Sequence, residues 1–299
     1  MALAVALLSA GVFSVKAQDI KKEMDDKYVE NDVVSLAGKK GFSFSTKAGD
    51  FLFKPYALVQ ASACYNRYDD QGLESHYAKS VANSGFAIPN AILGFTGKAF
   101  GRVTFNLSLN AAKSGGALLQ QAWFDVAIKE SFRIRVGKFK TPFMHGYLST
   151  LGETLFPVLP YSASQSVLLP YDVNYVIPNM STGFDLGVQV HGLNYQVGIF
   201  NGTGIDVNLA TKTNCDDHKW LPSLLYAGRL AFMPKGEMPT SQGSPENLND
   251  DKMSIAVSAS YNAEAEFLTS SDTRVGVEFA WIKNRWYVAA EGYYMNMHF

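Results

Sequence analysis

The chain has 299 residues, of which 26 are basic and 27 acidic, and its formal net charge is −1. It therefore lacks the basic excess of nucleic-acid-binding proteins. Charged residues make up 18% of the chain, below the roughly 25% that is usual in soluble domains, and twelve of them lie between positions 16 and 40.

The N-terminus predicts an exported protein. Residues 2–15 form an apolar block, and Val15 and Ala17 supply small residues at the −3 and −1 positions of a signal-peptidase site. A buried helix would instead show a 3.6-residue period, which this block lacks. We therefore predict a signal peptide over 1–17, a polar periplasmic segment over 18–41, and a single domain over 42–299.

Period-2 alternation predicts about eleven strands in this domain. Their ranges are 51–65, 87–98, 102–110, 118–129, 132–139, 183–191, 193–200, 224–233, 252–262, 273–282 and 285–297. Most exceed the 5–6 residues of a typical globular strand, and they approach the ~9–11 residues that a tilted strand needs to cross a bilayer. The stretch "RVTFNLSLN", from Arg102 to Asn110, is typical, since every second residue is apolar.

The links between these strands alternate in length. Links after the second, fourth, sixth and tenth strands are very short, whereas most of the intervening links are long. Only the link after the eighth strand, which contains "PKGEMPTSQGSPENLNDD", breaks this rule. Short turns at one end and long loops at the other are typical of outer-membrane barrels, in which apolar side chains face lipid and polar ones face a wet lumen. We therefore predict an all-β fold, a transmembrane antiparallel up-and-down β-barrel.

Four stretches carry a resemblance to a known family. They are "KGFSFSTKAGDFLFKPYALVQ" at 40–60, "RIRVGKFKTPF" at 133–143, "FDLGVQVHGLNYQVGIFNGTG" at 184–204 and "YAGRLAFMP" at 226–234. In this order they resemble the phosphate-selective porin O/P family, over most of the chain from about residue 42 onward.

The resemblance implies a 16-stranded barrel that assembles as a homotrimer in the outer membrane of a Gram-negative bacterium. It also implies that the long loop at 140–182 folds into the lumen, where arginines and lysines bind and pass anions. Because barrels normally have an even number of strands, we expect the chain to be incomplete at its C-terminus and the sheet to be open. The expected partners are outer-membrane lipid and small anions, and no cofactor is implied.

Several basic residues on predicted inner faces or at the start of the long loop are candidates for pore lining and anion binding. They are Arg102, Arg133, Arg135, Lys140, Arg229 and Arg274. Four acidic residues, Asp125, Asp185, Glu278 and Glu291, fall on the same faces. Arg133 and Arg135 can therefore bind solute anions, pair with Asp125 and Glu130 to stabilise the barrel wall, or do both.

These features predict a porin through which small hydrophilic solutes diffuse passively, with a bias toward anions such as phosphate or polyphosphate. A non-conducting surface receptor or adhesin with a filled barrel is the alternative. An enzyme is not expected, because no catalytic motif occurs and a lumen serine such as Ser108 or Ser258 is more typical of wall lining. Cys64 and Cys215 are expected to be unpaired, since disulfide scaffolds of secreted proteins use more cysteines.

Overall fold

The structure is a computed structural model, and it describes residues 33–38, 41–64, 85–113, 118–154, 181–201, 224–239, 241–242, 251–262, 271–284 and 286–298. The predicted signal peptide and Cys215 lie outside these residues, as does the side chain of Cys64. Within the described ranges, no helix has the length and apolar character needed to cross a membrane.

In the described residues, thirteen antiparallel strands form one sheet, and each strand pairs with its neighbours in the sequence. They are β1 (Val33–Gly38), β2 (Gly41–Thr46), β3 (Leu52–Cys64), β4 (Gly85–Ala99), β5 (Val103–Asn110), β6 (Leu119–Lys129), β7 (Phe132–Phe139), β8 (Ser181–Val190), β9 (Leu193–Phe200), β10 (Leu225–Phe232), β11 (Asp251–Asn262), β12 (Ser271–Lys283) and β13 (Trp286–His298). A four-residue helix, α1 (His145–Leu148), and a 3-10 turn at Leu151–Glu153 follow β7.

The predicted fold class is confirmed. All eleven predicted strands are present, and their ends differ from the predicted ones by two residues at most. No pairing joins β1 to β13 in the described part of the chain, so the sheet is open there, as expected. Each strand in this sheet pairs antiparallel with the strand that follows it in the sequence, which is the up-and-down topology of membrane barrels.

The strands β1 and β2 were not predicted. β1 lies within residues 18–41, where the density of charge just upstream indicated a polar segment, so the sheet begins earlier than residue 42. β2, "GFSFST", alternates clearly but is only six residues long. Two pairs of residues join it to β3, whereas six join it to β1. Short strands like these are stabilised mainly by their neighbours, which a local pattern does not reveal.

The two faces of the sheet have inverted polarity compared with a soluble protein. On β5, Leu107 and Leu109 are 44% and 45% exposed, whereas Ser108 and Asn110 are each 2% exposed. The same inversion occurs on β11, where Ile255 and Val257 are exposed, and Ser254, Ser258 and Ser260 are buried. The predicted assignment of faces for "RVTFNLSLN" is therefore confirmed, because apolar side chains point out and polar ones point in.

The two ends of the sheet differ in the length of the links between strands. At the short-turn end, links 100–102, 130–131 and 191–192 join successive strands. His191 and Gly192 both have positive φ, 48° and 81°, as a two-residue type I′ hairpin turn requires. At the long-loop end, links 65–84, 140–180 and 201–224 are much longer. The link 233–250, between β10 and β11, is the long exception at the short-turn end.

Candidate pore-lining site and its loop

Two arginines and two aspartates form a cluster on the inward face of three neighbouring strands. Asp125 on β6 lies directly opposite Arg135 on β7, which in turn lies opposite Asp185 on β8. The Arg133 Nη1 atom is 3.0 Å from Asp125 Oδ2 and 3.1 Å from Asp185 Oδ1. Arg135 donates to Asp125 Oδ2 from Nε at 3.0 Å and from Nη2 at 2.9 Å. The cluster therefore cross-links three strands of the wall.

The members of this cluster differ in their exposure. The Asp125 and Asp185 side chains are 8% and 3% exposed, whereas those of Arg133 and Arg135 are 23% and 26% exposed. The carboxylates therefore lie beneath the guanidinium groups. Although the four charges sum to zero, the positive groups are the more exposed members of the cluster.

Aromatic rings fix the plane of Arg135. Its Cζ atom lies 4.3 Å from the Trp123 ring centroid and 5.4 Å from that of Phe139. Guanidinium groups stack favourably on such rings, which reduces their rotational freedom. Arg133 is positioned by close packing instead, since a Cβ at residue 187, a glycine, would lie 2.7 Å from Arg133 Nε.

A cavity of about 190 Å³ adjoins the cluster at the short-turn end. Its lining includes three cations, Arg102, Lys129 and Arg133, and two acids, Asp125 and Glu130. Arg102 lies exposed in the turn 100–102, so it marks the mouth of the lumen rather than its middle. The basic residues therefore extend from the cluster to this mouth.

The loop that follows β7 turns back over the polar face of the sheet. Phe143 and Met144 are fully buried there, and they pack with Tyr147, Leu148 and Tyr293. A Cβ at residue 276, a glycine on β12, would overlap the Met144 sulfur. The glycine therefore allows this close approach, since a side chain at residue 276 would force the Met144 side chain to shift.

Backbone amides of this loop bind polar groups of the far strands. The Met144 N–H donates to Ser258 Oγ at 3.2 Å, and the Gly146 N–H donates to Glu291 Oε1 at 2.7 Å. The His145 N–H donates to Glu278 Oε2, and the same carboxylate accepts hydrogen bonds from Arg229. Two of the four acids predicted on the inner face therefore bind the loop, and one of them, Glu278, is also paired with Arg229.

The other side of the loop is bound to β3 by a chain of side-chain amides. Gln60 Nε2 donates to the Leu151 carbonyl at 2.9 Å, Asn90 Nδ2 donates to Gln60 Oε1 at 2.7 Å, and Asn110 Nδ2 donates to Asn90 Oδ1 at 2.8 Å. Since the same loop contacts β3 and β11 to β13, near the two ends of the sheet, the sheet must curve around it. The loop therefore spans the lumen.

Two basic side chains in the described part of the loop have lowered pKa values. Burial lowers the pKa of Lys140 to about 8, so the residue stays largely charged at neutral pH. Its Nζ donates to the carbonyls of Tyr147 and Ser149 at 2.7 and 2.6 Å, which ties the loop back on its own start. Burial, together with the nearby charge of Arg229, lowers the pKa of His145 to about 4. His145 is therefore neutral at neutral pH.

The six predicted site residues fall into two groups. Arg102, Arg133 and Arg135 contact solvent in or at the mouth of the lumen. Lys140 lies within the folded loop, Arg229 is paired with Glu278, and Arg274 is fully buried on the same face of β12 as Glu278. The anion-binding role of all six remains a prediction.

Sequence reasoning missed several residues that position the site. Trp123, which stacks on Arg135, and the amide chain of Gln60, Asn90 and Asn110 were not singled out. A usable signal was present, since large amides recur at inward positions of three consecutive strands. The pairing of Arg133 and Arg135 with Asp125 agrees with the wall-stabilising interpretation, whereas the second acid is Asp185 in place of Glu130.

Comparison with known proteins agrees with this geometry. The family model described as phosphate-selective porin O and P matches residues 59–299, which include β4 to β13, the last six residues of β3 and the whole of the loop that spans the lumen. No curated protein matches the chain. Since the match covers most of the chain, the protein belongs to the phosphate-selective porin O and P family.

Proposed function

We propose that this protein is a porin in the outer membrane of a Gram-negative bacterium. It lets small hydrophilic solutes diffuse passively through its lumen and favours anions, phosphate or polyphosphate among them. Family membership, the apolar outer face and the polar inner face support this proposal, because a barrel in lipid needs that polarity. Residues 1–17 then act as the signal peptide, and the short-turn end faces the periplasm.

One observation supports the anion bias above all others. In the cluster of Asp125, Asp185, Arg133 and Arg135, the acids are nearly buried and the arginines are about a quarter exposed. Each guanidinium has five N–H donors, and the contact of Arg133 with both acids uses only its Nη1 atom. Such groups bind phosphate and carboxylate oxygens in a bidentate manner. Arg133 and Arg135 therefore serve as both wall and anion site.

The remaining candidates then have separate tasks. Arg102 attracts anions at the mouth, whereas Lys140, Arg229 and Arg274 support the loop that narrows the lumen. This division follows from exposure, because a cation acts on a passing solute only where the solute can approach it. A buried, paired arginine such as Arg229 contributes mainly to the position of its partner.

The test is the reversal potential of the full chain in planar bilayers under a tenfold KCl gradient. We expect a potential of the sign that indicates anion preference. The double variant Arg133→Glu/Arg135→Glu should shift it toward cation preference. Lys113→Glu/Lys283→Glu is the matched control, because it changes the formal charge equally at exposed positions outside the cluster. It should produce a much smaller shift.

Two results would contradict the proposal in different ways. Cation preference in the unmodified protein would contradict the anion bias, but it would still agree with the proposal that the protein is a porin. Absence of conductance in a correctly folded, lipid-inserted protein would instead favour a surface receptor or adhesin. We also propose a homotrimer, which cross-linking of the lipid-inserted protein should show as a three-chain species.

A further inference from the structure

The link between β10 and β11 differs from the other connections at the short-turn end. Neighbouring links there, 100–102, 130–131 and 191–192, contain two or three residues, whereas this one covers 233–250. Periplasmic turns of barrels are normally short, and long links in compact domains are usually functional or disordered. The path of residues 233–239, 241 and 242 distinguishes between these possibilities.

The first part of this link folds into the lumen. Met233 and Met238 are 4% and 6% exposed, and they pack together with Ala280 and Ile282 on β12. Ala280 and Ile282 alternate with the outward Phe279 and share the face of Glu278, which is the inward face. Met238 is therefore buried inside the barrel, against the same strand that binds the loop.

The base of the link is fixed at the wall. Lys235 Nζ lies 2.8 and 2.7 Å from the two carboxylate oxygens of Asp251, where β11 begins. The Met233 N–H donates to the Gly192 carbonyl, in the neighbouring turn, at 2.6 Å. These contacts hold both ends of the link close together at the short-turn end and direct its middle inward.

The link meets the loop that enters from the opposite end. The Gln242 N–H donates to the Glu153 carbonyl at 3.0 Å. Glu153 belongs to the 3-10 turn of the loop that follows β7, and Leu151 in the same turn is bound by Gln60 of β3. Two segments that start from opposite ends of the barrel are therefore joined backbone to backbone in the lumen.

We propose that the β10–β11 link is a second lumen segment, which supports the 3-10 turn of the loop from the periplasmic side and, together with the loop, sets the width of the pore. This inference rests on the proposed porin function. It extends the pore-narrowing role from one segment to two and assigns to Met238 and Gln242 the positioning of the second. The two segments together then determine the largest solute that passes.

A disulfide cross-link tests the placement independently of transport. In a Cys64→Ser/Cys215→Ser background, the pair Glu153→Cys/Gln242→Cys should form a disulfide on mild oxidation in lipid vesicles, because the backbone hydrogen bond brings the two residues within disulfide range, about 4.4–6.8 Å between Cα atoms. The control pair Glu153→Cys/Lys235→Cys places the second thiol at the base of the link and should remain reduced. Absence of the first cross-link in the folded protein would overturn the inference.

Single-channel conductance tests the effect on the pore. Met238→Asp places a charge in the cluster with Ile282, so the link should leave the wall, and both conductance and the size limit in liposome-swelling assays should rise. Met238→Leu preserves volume and apolarity, and it should behave like the unmodified protein. Unchanged conductance in Met238→Asp, with the cross-link lost when the cysteine pair is combined with this change, would refute the pore-width role. If the unmodified protein does not conduct at all, the porin proposal fails, while the cross-link still reports the placement of the link.

Discussion

Glu278 is the residue on which the position of the loop depends most. Its side chain is 1% exposed, and it accepts hydrogen bonds from Arg229 and from the His145 backbone amide. Replacement by leucine, Glu278→Leu, leaves the Arg229 guanidinium, whose side chain is 8% exposed, buried without this acid. Removing one partner of a buried ion pair costs about 3–5 kcal/mol. We therefore expect the free energy of unfolding to fall by that amount. Since about 1.4 kcal/mol corresponds to a tenfold change in an equilibrium constant, the folding constant should fall by about two to four powers of ten.

A second change separates the lost charge pair from lost packing. In Arg229→Met/Glu278→Leu, an apolar pair replaces the ion pair, and such replacements are often neutral or stabilising. The double variant should therefore lose less stability than Glu278→Leu alone. Glu130→Leu is the control, because Glu130 is exposed in the β6–β7 turn and exposed sites change stability by about 0.5 kcal/mol or less.

Urea unfolding of protein inserted in lipid vesicles, followed by tryptophan fluorescence, measures these differences. Single-channel recording of the same samples shows whether the loop has left the wall, since conductance should rise in Glu278→Leu and stay raised in the double variant, which also lacks the acceptor of the His145 N–H. A loss below about 1 kcal/mol in Glu278→Leu would refute the reasoning. Equal or greater loss in the double variant would refute it as well.

Three further predictions concern the faces of the barrel, the pH response and the fit of the loop. Val277 lies at an outward position and is 55% exposed. Val277→Lys should cost about 2–4 kcal/mol in vesicle-folding equilibria, because a cation at the bilayer midplane is costly. Thr104→Lys, which places the cation in the wet lumen, should cost little. The pKa of His145 is lowered to about 4, so the unfolded chain binds a proton at this side chain at higher pH than the folded protein does. The free energy of unfolding should therefore be at its full value above about pH 6.5 and fall by up to about 3 kcal/mol as the pH is lowered toward 4. His145→Asn should flatten that pH profile, and an unchanged profile would show that other groups cause it. Gly276→Ala should cost about 1–3 kcal/mol by overpacking against Met144, measured by urea unfolding, and the same change should cost less when it is made in a Met144→Ala background, where the overlap is absent.

The sequence alone determined the architecture of the wall. Alternation with period 2 is a local property, so a stretch such as "RVTFNLSLN" reveals its strand and its two faces without any knowledge of its neighbours. The alternation of link lengths then distinguished a membrane barrel from a soluble sandwich. The same reasoning identified Arg133 and Arg135 as partners on one face. It missed β1 and β2, since their short runs gain stability from pairing that lies outside the local pattern.

Only the tertiary structure decided what fills the lumen. His145 and Glu278, which position the loop, are 133 residues apart in the sequence, and no periodicity relates residues at that distance. The difference in exposure between Asp125 and Arg135 is likewise set by packing across strands and by Trp123. The meeting of Gln242 with Glu153 depends on two links entering from opposite ends. Local alternation specifies the faces of the strands, whereas the segments that cross between them are placed by long-range contacts, which no local pattern contains.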